Sequence, residues 1–191
     1  MVPIHVSLTR RAAVVLLSLT VSAAPVLRSD DMADRRADVG ARVFRALLAA
    51  DLDLPKKTVG GNQILIVFFY AGDSRRAVEL AAGFVGGGDV RGLTVVTEVT
   101  NDATFAKYTG RTPAGVFLAD AAPRATVQSL VRFGIDRHVI VYSPFEGDVE
   151  SGILGGLSIE AQVRPYLNRA TLESSHIMLK EFFLKVAKVY Q

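Results

Sequence analysis

Seven consecutive apolar residues, Ile64-Leu-Ile-Val-Phe-Phe-Tyr70, constrain this chain more than any other stretch. A strand with one wet face alternates apolar and polar residues, and this run does not. It is covered on both faces, which is the signature of a parallel strand between two helical layers. The residues after it fit the same architecture. Ala71-Gly72-Asp73-Ser74 makes a turn, and Asp73 or Ser74 can cap a helix to about Val85, with Val78, Ala81, Ala82 and Val85 as its apolar stripe. Gly86-Gly87-Gly88 stops that helix. A strand Leu93–Val99 comes next, then a short helix capped by Asn101 or Asp102 and ending at Tyr108. Strand Gly115–Ala119, helix Pro123–Phe133 and strand Val139–Tyr142 complete the series. Strand–helix alternation at this spacing predicts an α/β fold: a Rossmann-like, mostly parallel sheet with helices on both faces and right-handed crossovers.

The flanks are read the same way. Upstream, Val39, Val43 and Leu47 recur at i, i+4 and i+8 beside Phe44 and Leu48, which predicts an amphipathic helix from Met32 to Leu54, ended by Pro55. Lys56–Asn62 reads as a loop. Downstream, Leu157, Ile159, Ala161 and Val163 alternate with polar residues, the period of a half-buried strand. Gly155-Gly156 before them suggests the turn of a β-hairpin with Ser151–Leu154. Asn168 can cap a helical turn from Arg169 to Ser174. A closing helix is expected from Leu179 to Val189, with Phe182, Phe183, Val186 and Tyr190 on its packing face and Glu181 paired to Lys185.

The first 23 residues read differently. Arg10 and Arg11 precede the apolar run Ala12–Ala24, too short to span a bilayer at about 20 residues but suited to a signal-peptide core. Val21-Ser22-Ala23 offers small residues for cleavage. The expectation is an exported, periplasmic chain: residues 1–23 a signal peptide, 24–191 a single α/β domain. Removing Arg10 and Arg11 from the 22 basic residues leaves 20 against 19 acidic ones. That balance gives no electrostatic reason to expect nucleic acid or an anionic membrane surface as a partner. The chain has no cysteine, so core burial must suffice without disulfides.

Chemistry-bearing patterns are few. After Ala24 the histidines are His138 and His176, too few for a His- or Cys-rich zinc site. No serine sits in a Gly-x-Ser-x-Gly elbow and no phosphate loop is present. No catalytic residue, metal or cofactor is therefore expected. Two candidate binding groups remain. Asp73, Ser74, Arg75 and Arg76 stand where the long apolar strand turns into a helix, where strand ends and helix N-termini bind anions. Capping together with solvated arginines is the default reading of these four residues. Glu146, Asp148 and Glu150, if extended, fall on one side of the backbone and could meet a hard cation or a basic partner. They lack the full calcium-loop pattern, so a solvated acidic turn is the default reading.

The element order carries a resemblance. An exported N-terminus leads to the amphipathic helix Asp38–Pro55, then a hydrophobic strand opening a βα run, then the short strand Gly115–Ala119. The chain closes with Val163-Arg-Pro-Tyr-Leu-Asn168 and Phe182-Phe-Leu-Lys-Val-Ala-Lys188. This resembles the YfiR/HmsC-like family of periplasmic regulatory proteins across nearly all of the mature chain. The resemblance implies a compact Rossmann-like domain without a catalytic site. It also implies a partner: the periplasmic sensor region of a membrane-bound diguanylate cyclase, whose cyclic di-GMP synthesis, and with it biofilm formation, is restrained. A homodimer is compatible with that reading. Members that carry disulfides suggest redox sensing, which a chain without cysteine cannot share. The alternative function is a periplasmic protein that binds a small anion at the strand-end crevice near Asp73–Arg76.

Overall fold

The computed structural model describes residues 29–191; the expected signal peptide, 1–23, lies outside the described residues. The apolar run forms β2 (Gln63–Phe69), and six of its seven residues are buried. It lies between β3 (Thr94–Thr100), parallel along its whole length, and β4 (Gly115–Leu118), parallel from Ile66 onward. Ile64, Ile66 and Phe68 enter one core with Phe44, Phe84 and Phe117, while Leu65, Val67 and Phe69 enter the other with Val127 and Leu130. Coverage on both faces is what the unbroken apolar run requires. Helices α1 (Ser29–Ala50) and α2 (Ser74–Gly86) cover the first face and α3 (Arg124–Arg137) the second.

Five parallel strands run in the order β3-β2-β4-β5-β6, with β5 at Ile140–Tyr142 and β6 at Gly155–Ile159. From β2 the chain winds outward to β3, then returns across the sheet to β4. The winding therefore reverses between β2 and β4. Three further strands extend the sheet to eight among the described residues: β1 (Thr58–Gly60), β7 (Val163–Asn168) and β8 (Lys188–Tyr190). β7 runs antiparallel to β6, and β8 parallel to β7. The protein is a Rossmann-like α/β fold with a mostly parallel sheet.

Several local expectations are corrected. Helix α1 buries Ala37, Gly40, Phe44, Leu47 and Leu48, and leaves Val39 and Val43 half-buried. It ends at Ala50 rather than running to Leu54, because Asp51 is buried and turns the chain. The Asp51 carboxylate accepts the Asp53 N–H at 2.9 Å and pairs with Lys57 at 2.7 Å. Pro55 sits in the 3-10 turn Leu54–Lys56 that comes next. The supposed loop Lys56–Asn62 contains β1, antiparallel to the start of β2. A segment distant in sequence completes the helix end: Lys180 N–H donates to Ala50 O, and Leu52 N–H to Met178 O, both at 2.9 Å.

In α2 the buried stripe is Ala77, Leu80, Ala81 and Phe84, while Val78, Ala82 and Val85 are exposed. Phe84 and Leu80 bring the larger apolar area, and Phe84 packs on Phe68 and Phe44 at 5.6 and 5.7 Å between ring centroids. The short helix before Tyr108 is a single 3-10 turn, Ala106–Tyr108, because Asp102 closes a tight turn onto Thr104 and Phe105 adopts φ 52°. Helix α3 runs on to Arg137, closed by His138 in the left-handed conformation.

The hairpin differs most from expectation. Gly155 and Gly156 lie inside β6, not at a turn, and β6 pairs with β7 rather than with Ser151–Leu154. A Cβ on Gly156 would sit 2.7 Å from the Ser143 carbonyl oxygen and 2.6 Å from Val149 Cγ2. The glycines are there for close approach. The turn falls at Glu160–Gln162, and Ile159 faces Val163 across it with both exposed. The alternation at Leu157–Val163 therefore spans two strands. Asn168 caps α4 (Arg169–Ser174) as expected, accepting the Thr171 N–H at 2.9 Å. The closing helix is only α5 (Glu181–Val186), since Lys188–Tyr190 is strand β8. Phe183 is buried, but Phe182 and Val186 are exposed.

Candidate functional site

Ligands of open α/β sheets gather outside the carboxyl ends of the strands, above all where the winding reverses. In this protein the reversal between β2 and β4 is filled by the chain itself. Asp120, just beyond β4, accepts the N–H groups of Ala71 and Gly72 at 2.7 and 2.8 Å. Gly72 permits this approach, since a Cβ there would lie 3.2 Å from the carboxylate. The place of a bound anion is thus held by an aspartate.

The first candidate group surrounds that point. Asp73 caps α2 by accepting the Arg75 N–H at 2.9 Å, and the Arg75 side chain closes back on it at 2.6 Å. These bonds hold the Asp73 carboxyl below its usual range and the Arg75 guanidinium above its own. Ser74 opens the helix and is half-exposed. Arg76 meets Asp38 at 2.7 Å, Asp34 at 3.2 Å and Glu79 at 3.3 Å, so three carboxylates share it. Both arginines that were to meet an anion are engaged by the protein's own acids.

The second group lies on the same end of the sheet, after β5. The segment is coiled rather than extended: Ser151 and Ile153 N–H groups bond back to Gly147 and Asp148 carbonyls at 3.0 Å. Glu146, Asp148 and Glu150 therefore do not share one side. Asp148 turns inward and accepts the Ser143 hydroxyl at 2.5 Å. Burial pushes its carboxyl up, Ser143 opposes that, and the Glu150 charge adds to it. Glu146 and Glu150 are exposed and make no ion pair among the described residues.

Glu146 and Glu150 border a crevice of about 200 Å³ that the sequence does not announce. The first turns of α1 contribute Arg36, whose guanidinium bonds to Pro144 O and, at 3.4 Å, to Leu157 O. The β6–β7 hairpin contributes Glu160 and Tyr166, and β8 contributes Lys188. Lys188 meets Glu160 at 2.8 Å and lies 5.0 Å from the Tyr166 ring centre. Burial and the Glu150 carboxylate push the Tyr166 phenol up. This rim carries three carboxylates, two cations and two aromatic rings, Phe145 and Tyr166. It can meet a positive and a negative group on one small molecule. Arg36, Glu160, Tyr166 and Lys188 come from three separate segments, and only their strand and helix positions, misjudged at the C-terminus, would have joined them.

No group of three or more His, Asp or Glu side chains among the described residues could hold a metal ion. No helix among them is long and apolar enough to cross a membrane.

No protein-family model matches the chain, and no curated protein does. Solved structures do. An ABC domain in complex with L-Trp from Streptococcus pneumonia superposes with a TM-score of 0.53 at 15% identity, over 75% of this chain and 62% of its own. A conserved domain protein from Vibrio cholerae gives 0.53 at 14%, over 75% and 60%. A substrate-binding protein with adhesive properties from Clostridium difficile, in a ligand-free, open structure, gives 0.51 at 11%, over 74% and 58%. The chain thus spans about three-fifths of the length of each. At these identities the likeness establishes the α/β fold.

Proposed function

We propose that this chain is a non-enzymatic, exported binding protein whose ligand is a small molecule bearing both an ammonium group and a carboxylate, such as an amino acid. The observation that carries the reading is the crevice at the carboxyl ends of β5 and β6, where Glu146, Glu150 and Glu160 stand with Arg36 and Lys188. Carboxylates suit an ammonium group, the guanidinium suits a carboxylate, and Tyr166 in the lining suits an aromatic side chain. The structural neighbour in complex with L-Trp makes that amino acid the first to try. The test is calorimetric titration of residues 24–191 with a panel of L-amino acids and simple amines. Saturable binding is expected, and Glu150→Gln should weaken it about tenfold, the cost of one charged hydrogen bond. Absence of saturable binding across the panel would sink the reading.

A second reading follows the resemblance to YfiR/HmsC-like proteins. Exposed Glu146 and Glu150, without cationic partners among the described residues, suit a basic segment on the periplasmic region of a membrane-bound diguanylate cyclase. Binding to one state of that sensor would shift its population by the difference in affinity. Capture of a cyclase from membranes by the wild-type chain, lost with Glu146→Lys, supports it; capture unchanged by that substitution removes this loop from the reading.

A further inference from the structure

The opposite end of the sheet carries a cavity of about 440 Å³ among β1, the 3-10 turn Leu54–Lys56, the loop 109–113 and the last turn of α3. Its walls present Lys56, Lys57, Arg111, Arg137 and His138, with Thr112 as a neutral donor, and no carboxylate. The acids that pair with these cations stand outside the cavity wall. Lys57 pairs with fully buried Asp51 at 2.7 Å, Lys56 with Asp53 at 2.6 Å, and Arg111 with Glu98. Arg137 has no carboxylate partner among the described residues.

Two details keep these groups in place. Lys57 Nζ donates to the His138 carbonyl at 2.7 Å, which ties β1's approach to the end of α3. His138 Nδ1 lies 2.8 Å from the Ser175 carbonyl. A carbonyl only accepts, so Nδ1 carries the proton and Nε2 is the nitrogen left for another group. The negative end of the α3 dipole accounts for one nearby cation. It does not account for five basic groups brought together from three segments of a chain whose net charge is only +3. A cleft lined by one sign of charge concentrates the opposite one.

We infer that this cavity binds the phosphate or sulfate group of a small ester. Guanidinium forks such as Arg111 and Arg137 match tetrahedral oxyanions, and the lysines add point charges. The volume lies within the range of small-molecule sites, about 300–1,000 Å³, so it admits the ester's carbon part as well. The site is separate from the crevice at the carboxyl ends, and either can fail alone.

The experiment is titration of residues 24–191 at low ionic strength with inorganic phosphate and with glycerol 3-phosphate, followed by amide chemical shifts. Saturable binding is expected, with shifts centred on Lys57, Thr112 and His138. Arg137→Glu should lower affinity more than about tenfold, and Arg137→Gln less, in line with loss of one charged hydrogen bond or the added repulsion. Arg124→Glu makes the same charge change at the exposed far end of α3 and should leave affinity within about twofold. Vesicles with and without phosphatidylglycerol separate the sources: binding to those vesicles alone, lost in Arg137→Glu, assigns the phosphate to a lipid headgroup. Equal weakening by Arg137→Glu and Arg124→Glu, or no saturable binding to any of these, overturns the inference. Melting curves of both variants confirm that each is folded.

Discussion

The two ends of the sheet are charged in opposite senses. At the carboxyl ends, where this architecture ordinarily receives anions, the protein supplies its own: Asp120 on the Ala71 and Gly72 N–H groups, Asp73 on the α2 N-terminus, and three acids around Arg76. Glu146 and Glu150 remain beyond those. At the amino ends, cations exceed acids around the α3 C-terminus. The lesson is that a fold's usual binding geometry is a preference set by unpaired backbone groups. Once side chains satisfy those groups, the sign of the site is free to change.

The largest expected effect tests how the acidic end is held together. Gly156→Ala pushes a methyl group into the Ser143 carbonyl and Val149, neither of which is the free tip of a flexible side chain. It should cost about 1–3 kcal/mol, as overpacking does, and lower Tm by about 2–4 °C per kcal/mol. Urea unfolding checks it, and an unchanged midpoint would mean the loop 144–150 is not clamped by β6. Next comes the internal anion. Asp120→Ala frees two N–H groups that water can partly reach, and should cost about 1 kcal/mol. The loss should shrink in phosphate-rich buffer if an external anion can take the vacated place. If the loss is the same in both buffers, the carboxyl end does not regain an anion preference.

The smallest effect has a defined pH sense. Asp148 binds its proton more tightly folded than unfolded, because burial raises its pKa. Such a group stabilises the fold when protonated, and that contribution is lost as pH rises above the ordinary aspartate value of 3.8 toward the raised one. Asp148→Asn cannot lose it. The Tm difference, variant minus wild type, should therefore grow from pH 3 to pH 7. A difference that shrinks over that range would show the Ser143 hydrogen bond outweighing burial.

Legibility in the sequence divides along a physical line. The parallel half was legible because its central strands are buried on both faces, so Ile64–Tyr70 and Gly115–Ala119 read as unbroken apolar runs. Caps at Asp73 and Asn168 were legible because side chain and backbone N–H lie within a few residues. The C-terminal half was not. There Leu157–Val163 alternates across a turn, and Gly155-Gly156 serve contacts with Leu47 and Val149 that no local pattern encodes. β8 looked helical because Val186 and Tyr190 keep a helical spacing, but its place was decided by pairing with β7. The candidate residues fared likewise. Asp73–Arg76 do stand at the turn from β2 into α2, whereas the partners that engage Arg76 and turn Asp148 inward are tertiary.

The contact at the end of α1 bears on how the molecule is made. Asp51 forms a bridge with Leu179, and the backbones of Ala50 and Leu52 bond to Lys180 and Met178. The end of the first helix is therefore completed by residues synthesised long after it. Closing so long a loop adds little to its entropic cost but places the contact late in folding. During synthesis the central parallel strands can assemble while α1 is still unfinished at its C-terminal end. Residues 178–190 act as a latch, and a chain stopped short of Leu179 would lack strand β8 and leave the C-terminal end of α1 unfinished.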